Sequence, residues 1–419
     1  MRVLHVSWEY PPVVYGGLGR HVHALAEAQA RRGHDVTVLT QGSDQAPADQ
    51  VVNGVRIVRV TPRSDLLPLD LDRLLPWVAA FDHDLGHAGL DLVERWRPDV
   101  VHGHDWMVAH ASTTLRQAAD VPLVVTVHAT EAGRHQGWLP TAMSRSIHTT
   151  EWWLTYEATR VIACSQHMRW EVTRLFAVDA DRVDVIPNGI DLDEWRTDAE
   201  AETEVRARFA GDGPLVVFTG RLEWEKGPQV LLEAVPALRR RFPGLRVVIA
   251  GKGGTAPDLA EQCARLRLGD TVVRTGWLPE RDLHALVAAA DVAVVPSLYE
   301  PFGIVALEAA ALGTPLVVSD TGGLGEVVRH GATGLAFPAG DPVALADAVT
   351  AALEDPEATA RRAAAARRLV EREHDWDLLA DRTVQTYRRA AAVGAAPPGR
   401  PEDVRPVLPD GNLFSDRTA

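Results

Sequence analysis

Lysine is nearly absent from this chain. Lys226 and Lys252 are the only two lysines among 43 basic side chains. Arginine is therefore the default cation, and each lysine is worth locating. Cysteine is equally scarce. Cys164 and Cys263 are too few and too far apart for a disulfide framework or a zinc ribbon, and a reducing cytoplasm fits. Positive charge is in deficit. A formal net charge of -14 argues against nonspecific nucleic-acid binding as the main task. No run of about 18 apolar residues occurs, so no transmembrane span is expected. The N-terminus, MRVLHVSWEYPP, reaches prolines before a signal-peptide core could form. A cytoplasmic location is the expectation.

What is present is an alternation. At 419 residues the chain is long for one domain, and two are expected. Its 46% hydrophobic content is ordinary for a globular protein. Strand-like runs appear at Val3 to Ser7, Val36 to Leu39, Val100 to His102, Leu123 to Val127, Val161 to Ala163 and Val183 to Ile186. Helical stretches separate most of them. The first helix places Val22, Leu25, Ala26 and Gln29 near one face and stops at Gly33. Near Pro187 the pattern restarts at a turn-forming Asn188-Gly189-Ile190-Asp191. A polar stretch, Thr197 to Gly213, follows. The second series runs through Leu215 to Phe218, Leu245 to Ile249, Thr271 to Val273, Val292 to Val295 and Leu316 to Val318. Strands alternating with helices imply parallel sheets covered on both faces. The expected architecture is two doubly wound α/β domains, 1–187 and 188–374. A helix at 375–393 and a mobile Pro-rich tail at 394–419 complete it. In such sheets ligands bind at the carboxyl ends of the strands, and a cleft between the domains is the natural site.

The densest chemistry lies between Pro296 and Pro315. Glu300 precedes Pro301, Phe302 and Gly303, and Glu308 follows on an apolar, Ala-rich helix. Pro301 is read as part of the first helical turn. The amides of Phe302, Gly303 and Ile304 would then face any anion or hydroxyl nearby. The two acids would differ in direction by about 80° on one helix, so separate roles suit them better than a shared proton. A buried carboxylate at Glu308 needs a hydroxyl donor or an ion-pair partner. Arg221 and Lys226 stand in Gly220-Arg221-Leu222-Glu223-Trp224-Glu225-Lys226-Gly227, after the first strand of the second half. They could neutralise a diphosphate or be two solvated charges facing Glu223 and Glu225. Tyr15-Gly16-Gly17-Leu18-Gly19 could set amides against phosphate or be a tight turn. Neither Gly-x-Gly-x-x-Gly nor Gly-x-x-x-x-Gly-Lys-Ser/Thr is present, which removes support for dehydrogenase and P-loop readings. His128 and Asp105 each follow a strand. His102 and His104 raise the question of metal, as do Asp70/Asp72 and Asp191/Asp193. No repeated ligand spacing supports one, and no metal is expected.

Taken together, these blocks resemble the family 4 retaining glycosyltransferases of GT-B fold. The resemblance runs from about Met1 to Tyr387. Glu300-Pro301-Phe302-Gly303…Glu308 and Gly220-Arg221-Leu222…Glu225-Lys226-Gly227 carry it. Trp8-Glu9-Tyr10-Pro11-Pro12…Gly16-Gly17-Leu18-Gly19-Arg20-His21-Val22 and His128-Ala129-Thr130-Glu131-Ala132-Gly133-Arg134-His135 narrow it. They are similar to the actinobacterial glycogen-synthase-like α-1,4-glucosyltransferases, including the mycobacterial branch of methylglucose lipopolysaccharide and glucan synthesis. The resemblance implies two Rossmann-like domains facing a cleft, with C-terminal helices packing back toward the first. It implies that Arg221 and Lys226 bind the donor diphosphate and stabilise its departing charge, and that Gly16 and Gly17 let the backbone approach it. Glu308 would hold the ribose. Glu300, Phe302, Gly303 and Ile304 would hold the transferred sugar, with His128 near its reacting carbon. Asn188 and Gly251 join the donor set, and the base would rest near Trp277 and Leu278. Glu9, Asp105, Glu131 and His135 are implied on the acceptor and sugar side. The donor would be ADP-glucose or UDP-glucose, the acceptor an α-1,4-glucan or related oligosaccharide. No cofactor or metal is implied. Anomeric retention comes with the family, by front-face attack. The chain departs from the bacterial glycogen synthases at Val14, where they carry lysine; either Arg20 or Lys226 compensates or donor handling differs, which weakens direct transfer of their nucleotide preference.

Other readings stay open. A mannosyl- or N-acetylglucosaminyltransferase acting on a lipid or small acceptor is one, and a lipid acceptor would leave room for peripheral membrane association. A nucleotide-sugar epimerase of GT-B fold is another, which Glu300 and Glu308 at their spacing disfavour. A non-catalytic nucleotide-sugar-binding subunit is a third, disfavoured by intact Glu300, Arg221, Lys226 and His128. Donor nucleotide, acceptor length and oligomeric state are not decided by sequence.

Overall fold

A computed structural model describes residues 1–62, 69, 73–210, 213–395 and 411–414. It divides into two compact units: Met1–Asn188 with Trp376–Ala419, and Gly189–Asp375. Among the described residues no helix is long and apolar enough to cross a membrane.

The first unit is built on an eight-stranded sheet. Its strands are β1 (Arg2–Val6), β2 (Asp35–Gln41), β3 (Asp49–Val52), β4 (Val55–Val60), β5 (Val100–His104), β6 (Leu123–Val127), β7 (Arg160–Ala163) and β8 (Val183–Val185). Their order is β3-β4-β2-β1-β5-β6-β7-β8. All pairs are parallel except β3 with β4. β6 reads Leu-Val-Val-Thr-Val and is buried throughout, as a strand covered on both faces must be. The face of the helix Gly17–Arg31 expected to be apolar, Val22, Leu25, Ala26 and Gln29, is buried. The chain leaves that helix through Gly33 at φ +82°, a conformation glycine takes without penalty.

The helix Trp376–Val393 belongs to this first unit. Trp376, Leu379, Val384 and Tyr387 join Val3, Leu25, Val100 and Val124 in one core cluster. Burying one such aliphatic side chain contributes roughly 1.5–3 kcal/mol, so the helix is part of the core rather than an appendage. Its neighbour Pro356–Glu373 stays in the second unit, packed on the helix Ile304–Leu312.

The second unit carries β9 (Leu215–Thr219), β10 (Arg246–Ala250), β11 (Val272–Gly276), β12 (Val292–Val295), β13 (Leu316–Asp320) and β14 (Leu335–Pro338). Their order is β11-β10-β9-β12-β13-β14, with every pair parallel. Outside the antiparallel β3–β4 pair, each sheet's strand order reverses once, between β1 and β5 and between β9 and β12. Those two reversal points are where open α/β sheets bind ligands.

Some expectations are corrected. The polar stretch after Thr197 contains a helix, Ala199–Phe209, capped where Asp198 accepts from the Ala201 amide at 2.7 Å. β3, β4 and β14 were not anticipated; β3 is short and polar, and β14 ends in proline. The tail was expected to be mobile from Gly394. Its described residues 411–414 are instead held: the Leu413 amide donates to Gly137 O at 2.7 Å, and Arg174 Nε to Leu413 O at 3.1 Å. Pro397, Pro398, Pro401, Pro406 and Pro409 lie outside the described residues, as do Asp70 and Asp72.

Candidate functional site

In the second unit the loops after β9, β10, β12 and β13 meet by backbone contacts that only glycine permits. A Cβ on Gly251 would stand 1.8 Å from Gly220 O, one on Gly227 1.9 Å from Pro296 O, and one on Gly322 1.9 Å from Glu300 O. Gly227 also has φ +71°. The Glu225 carbonyl accepts from the amides of Leu298 and Tyr299, at 2.8 and 3.2 Å. These contacts seat the loop after β9 on the loop after β12. Lys226 and Glu300 are 74 positions apart, yet Lys226 Nζ lies 2.9 Å from Glu300 Oε2. Ser297 Oγ donates to the same oxygen at 3.1 Å. The pair is largely shielded, with side-chain exposures of 20% and 11%. Arg221 is more exposed and reaches Glu225 at 3.2 Å.

The helix start differs from expectation. The helix runs Ile304–Leu312 and is capped by Gly303 at φ +107°. Pro301 and Phe302 lie in a bend before it, because glycine's left-handed conformation ends the loop later than a proline-initiated turn would. Among the described residues, the amides of Phe302, Gly303 and Ile304 make no hydrogen bond within the chain. Open donors there are what an anion or hydroxyl needs. Glu308 is buried at 7% exposure. Gly251 and the exposed Trp277 with Leu278 stand at the ends of β10 and β11, on the same edge of the sheet.

In the first unit the glycine loop is tied down by Glu9. Its Oε2 accepts from the amides of Tyr15 and Gly16, at 2.8 and 3.0 Å. Glu9 is therefore a buried brace of the loop, and the Gly16 amide is already engaged. Trp8 and Tyr15 stack beside it, ring centroids 5.1 Å apart. Asp105, after β5, sits at φ 62° and accepts from the His128 amide at 2.9 Å. Burial pushes its carboxyl up to about 7. Glu131 donates its amide to Glu151 at 2.9 Å and its carboxylate faces His135 Nε2 at 3.2 Å. Burial also raises the Glu151 carboxyl well above its usual range.

Sequence reasoning missed a buried histidine cluster. β1 and β5 are in register at His5 and His102, and His104 and His128 lie beside them. His5 Nδ1 is 3.0 Å from His104 Nε2, and His104 Nδ1 is 3.3 Å from His128 Nε2. His21 stands edge-on to His128, centroids 4.8 Å apart, and meets Asn188 Oδ1 at 2.7 Å. Burial lowers all five rings, His5 and His21 to about 4 and the other three well below their usual value. They are neutral near pH 7. Two triads, His5/His102/His104 and His21/His104/His128, place ligand atoms within 4.8 Å of one another. In the first triad, His5 and His102 have both nitrogens in hydrogen bonds. A metal there would have to break them. The signal in the sequence was histidine at inward positions of neighbouring strands. Asp191, by contrast, is spent on a turn, accepting from the Asp193 amide at 2.8 Å.

Residues 15–194 match the family model described as Glycosyltransferase Family 4, and residues 200–369 match Glycosyl transferases group 1. A glycogen synthase from Mycobacterium tuberculosis is 44% identical over 98% of this chain and all of its own length. An alpha-maltose-1-phosphate synthase from Mycolicibacterium smegmatis is 33% identical over 94% of this chain and all of its own length. The solved sucrose-phosphate synthase from Thermosynechococcus elongatus superposes with a TM-score of 0.80 at 25% identity. It covers 94% of this chain and 99% of that one.

Proposed function

The chain belongs to the glycosyltransferases of family 4 and group 1, and we propose that it transfers glucose from a nucleotide-glucose donor to the non-reducing end of an α-1,4-glucan or related oligosaccharide. The observation that carries this reading is the meeting of Lys226, Glu300 and the open amides of Phe302 to Ile304 at the β9/β12 reversal point. Likeness to a glycogen synthase supports glucose as the sugar and a glucan as the acceptor class.

In this reading the unit Gly189–Asp375 binds the donor. Lys226 and Arg221 take the diphosphate. Glu308 accepts from the ribose hydroxyls. Glu300, oriented by Ser297, accepts from hydroxyls of the transferred glucose, whose other polar atoms meet the amides of Phe302 to Ile304. The base lies by Trp277 and Leu278. In the other unit His128 contacts the transferred sugar, with Asp105 fixing the His128 backbone. Glu9 braces the glycine loop at Gly16 and Gly17, and Glu131 and His135 stand on the acceptor side.

The reaction is retaining and uses no metal. The acceptor hydroxyl attacks the anomeric carbon on the face the diphosphate leaves, and its proton goes to the departing phosphate oxygen. Negative charge grows on phosphate while positive charge grows at carbon, and Lys226 and Arg221 stabilise the former. A nucleotide-release screen tests the proposal. It crosses ADP-, UDP- and GDP-sugars with malto-oligosaccharides, glucose 1-phosphate, lipid acceptors and no acceptor. Lengthening of a malto-oligosaccharide by a glucose donor is the expected result. If no glucose donor supports it, the proposal fails. A new nucleotide sugar formed without transfer would indicate an epimerase.

A further inference from the structure

His128 ends a hydrogen-bond chain whose far end lies on two helices. Gln29 Oε1 is 2.8 Å from His5 Nε2. An amide oxygen only accepts, so His5 carries its proton on Nε2. His5 is neutral, so its Nδ1 accepts, and its partner at 3.0 Å, His104 Nε2, must be the donor. The same step places a lone pair on His104 Nδ1, which faces His128 Nε2 at 3.3 Å. His128 then carries its proton on Nε2 and keeps Nδ1 as an acceptor. Gln29 Nε2 itself donates to Tyr387 Oη at 3.0 Å. Tyr387 in turn meets His102 Nδ1 at 2.7 Å, and His102 Nε2 meets Thr126 Oγ1 at 2.7 Å. Gln29, His5, His102, His104 and Tyr387 are completely buried or nearly so, so water does not compete for these bonds. Burial keeps each of these rings neutral near pH 7, which is what makes each tautomer dictate the next.

We propose that Gln29, acting through His5 and His104, fixes the tautomer of His128 so that Nδ1 is held as the acceptor for a hydroxyl of the transferred sugar. Gln29, His5 and His104 are positioning residues in this scheme. The sugar contact rests on the function proposed above; the tautomer chain rests on the hydrogen-bond geometry and on the neutrality that burial imposes. Gln29 lies on the helix Gly17–Arg31 and Tyr387 on Trp376–Val393.

The test is nitrogen-15 NMR of the full chain labelled at histidine, where two-bond couplings report which ring nitrogen is protonated. Wild-type protein should show His5, His104 and His128 as neutral Nε2–H rings at pH 7. Gln29→Leu removes the acceptor. It should free His128 from the single Nε2–H form and lower kcat about tenfold, the worth of one hydrogen bond, with donor KM nearly unchanged. Gln29→Glu restores an acceptor and should recover the tautomer. Tyr387→Phe touches only the other branch and should leave the His128 tautomer in place. A wild-type His128 protonated on Nδ1, or a Gln29→Leu protein with unchanged tautomer, overturns the inference. The wild-type spectrum decides even if Gln29→Leu does not fold. His128→Ala with wild-type turnover would instead remove the sugar contact and leave the tautomer chain standing.

Discussion

The first unit should be lost in mild acid, and the size of the effect can be worked from its buried groups. His5, His21, His102, His104, His128 and His148 all have depressed pKa values, with burial as the leading cause. When the chain unfolds, each ring titrates near 6.5. Between about pH 6 and 4.5 the unfolded chain therefore takes up six protons that the fold excludes. Three acids act in the opposite sense. Asp82 and Asp105 are pushed up to about 7 and Glu151 well above its usual range, again mainly by burial. They hold protons in the fold that the unfolded chain releases. The unfolded state thus binds about three more protons than the folded one. Stability then rises with pH and falls by about 4 kcal/mol for each pH unit lost. Across the window from about pH 6 to 4.5 the loss is roughly 6 kcal/mol, enough to unfold a domain near the lower end of the usual 5–15 kcal/mol. The assay is urea unfolding at pH 7, 6 and 5. Peptides from 1–188 and 376–395 are followed by hydrogen-exchange mass spectrometry, corrected for intrinsic rate. A midpoint for those peptides that stays flat from pH 7 to 5, or rises as the pH falls, refutes the reasoning. Asp82→Asn adds a check on the sign. It removes one opposing group, so the acid slope should steepen by about 1 kcal/mol per pH unit.

Three further outcomes follow from the second unit. Lys226→Ala should lower turnover by on the order of 10²–10³, the size of losing one transition-state charge donor; wild-type turnover would remove Lys226 from the mechanism. Glu308→Ala should mainly weaken nucleotide binding, and calorimetry showing unchanged donor affinity would contradict the ribose assignment. Gly227→Ala should cost roughly 1–3 kcal/mol of stability and depress turnover. Its Cβ would strike Pro296 O and so displace the loop carrying Lys226. Melting temperature and kcat measured on the same preparation test this, and a fully active, equally stable variant would contradict it.

Much of the fold was legible because the strands announce themselves. Runs such as Leu123 to Val127 and Val292 to Val295 are β-branched and buried on both faces, and no helical period competes with them. β3 was not legible, since Asp49-Gln50-Val51-Val52 carries no sustained pattern and is held only by its pairing with β4. The candidate site was half legible. Glu300, Arg221 and Lys226 stand out by type and by neighbours, yet nothing local says that Lys226 and Glu300 touch. That depends on β9 pairing with β12 and on Gly227 lying flat against Pro296. Glu9 and Asp105 were read as sugar-side residues. Their carboxylates accept from loop amides, a use that leaves no trace in spacing. Gln29 was read as part of a buried helix face, and its role at the head of the histidine chain depends on five elements that meet only in three dimensions.

The Lys226–Glu300 pair also bears on how a donor could be held. Lys226 and Glu300 are largely shielded, and desolvation of two such charges offsets much of their attraction, so the pair adds little net stability. A diphosphate offers Lys226 a greater negative charge than one carboxylate does. It could therefore draw the ammonium away at small cost. Glu300 would not be left bare by the exchange. Ser297 Oγ already donates to its Oε2, and sugar hydroxyls are donors that suit the remaining lone pairs. The same two side chains thus satisfy each other and, in the proposed reaction, one shift of a flexible lysine would let them take the two halves of a nucleotide sugar separately. Arginine would serve less well at position 226. Its planar fork grips a carboxylate in two bonds and leaves it less readily. In a chain that uses arginine almost everywhere else, this gives a physical reason for one of its two lysines to stand here.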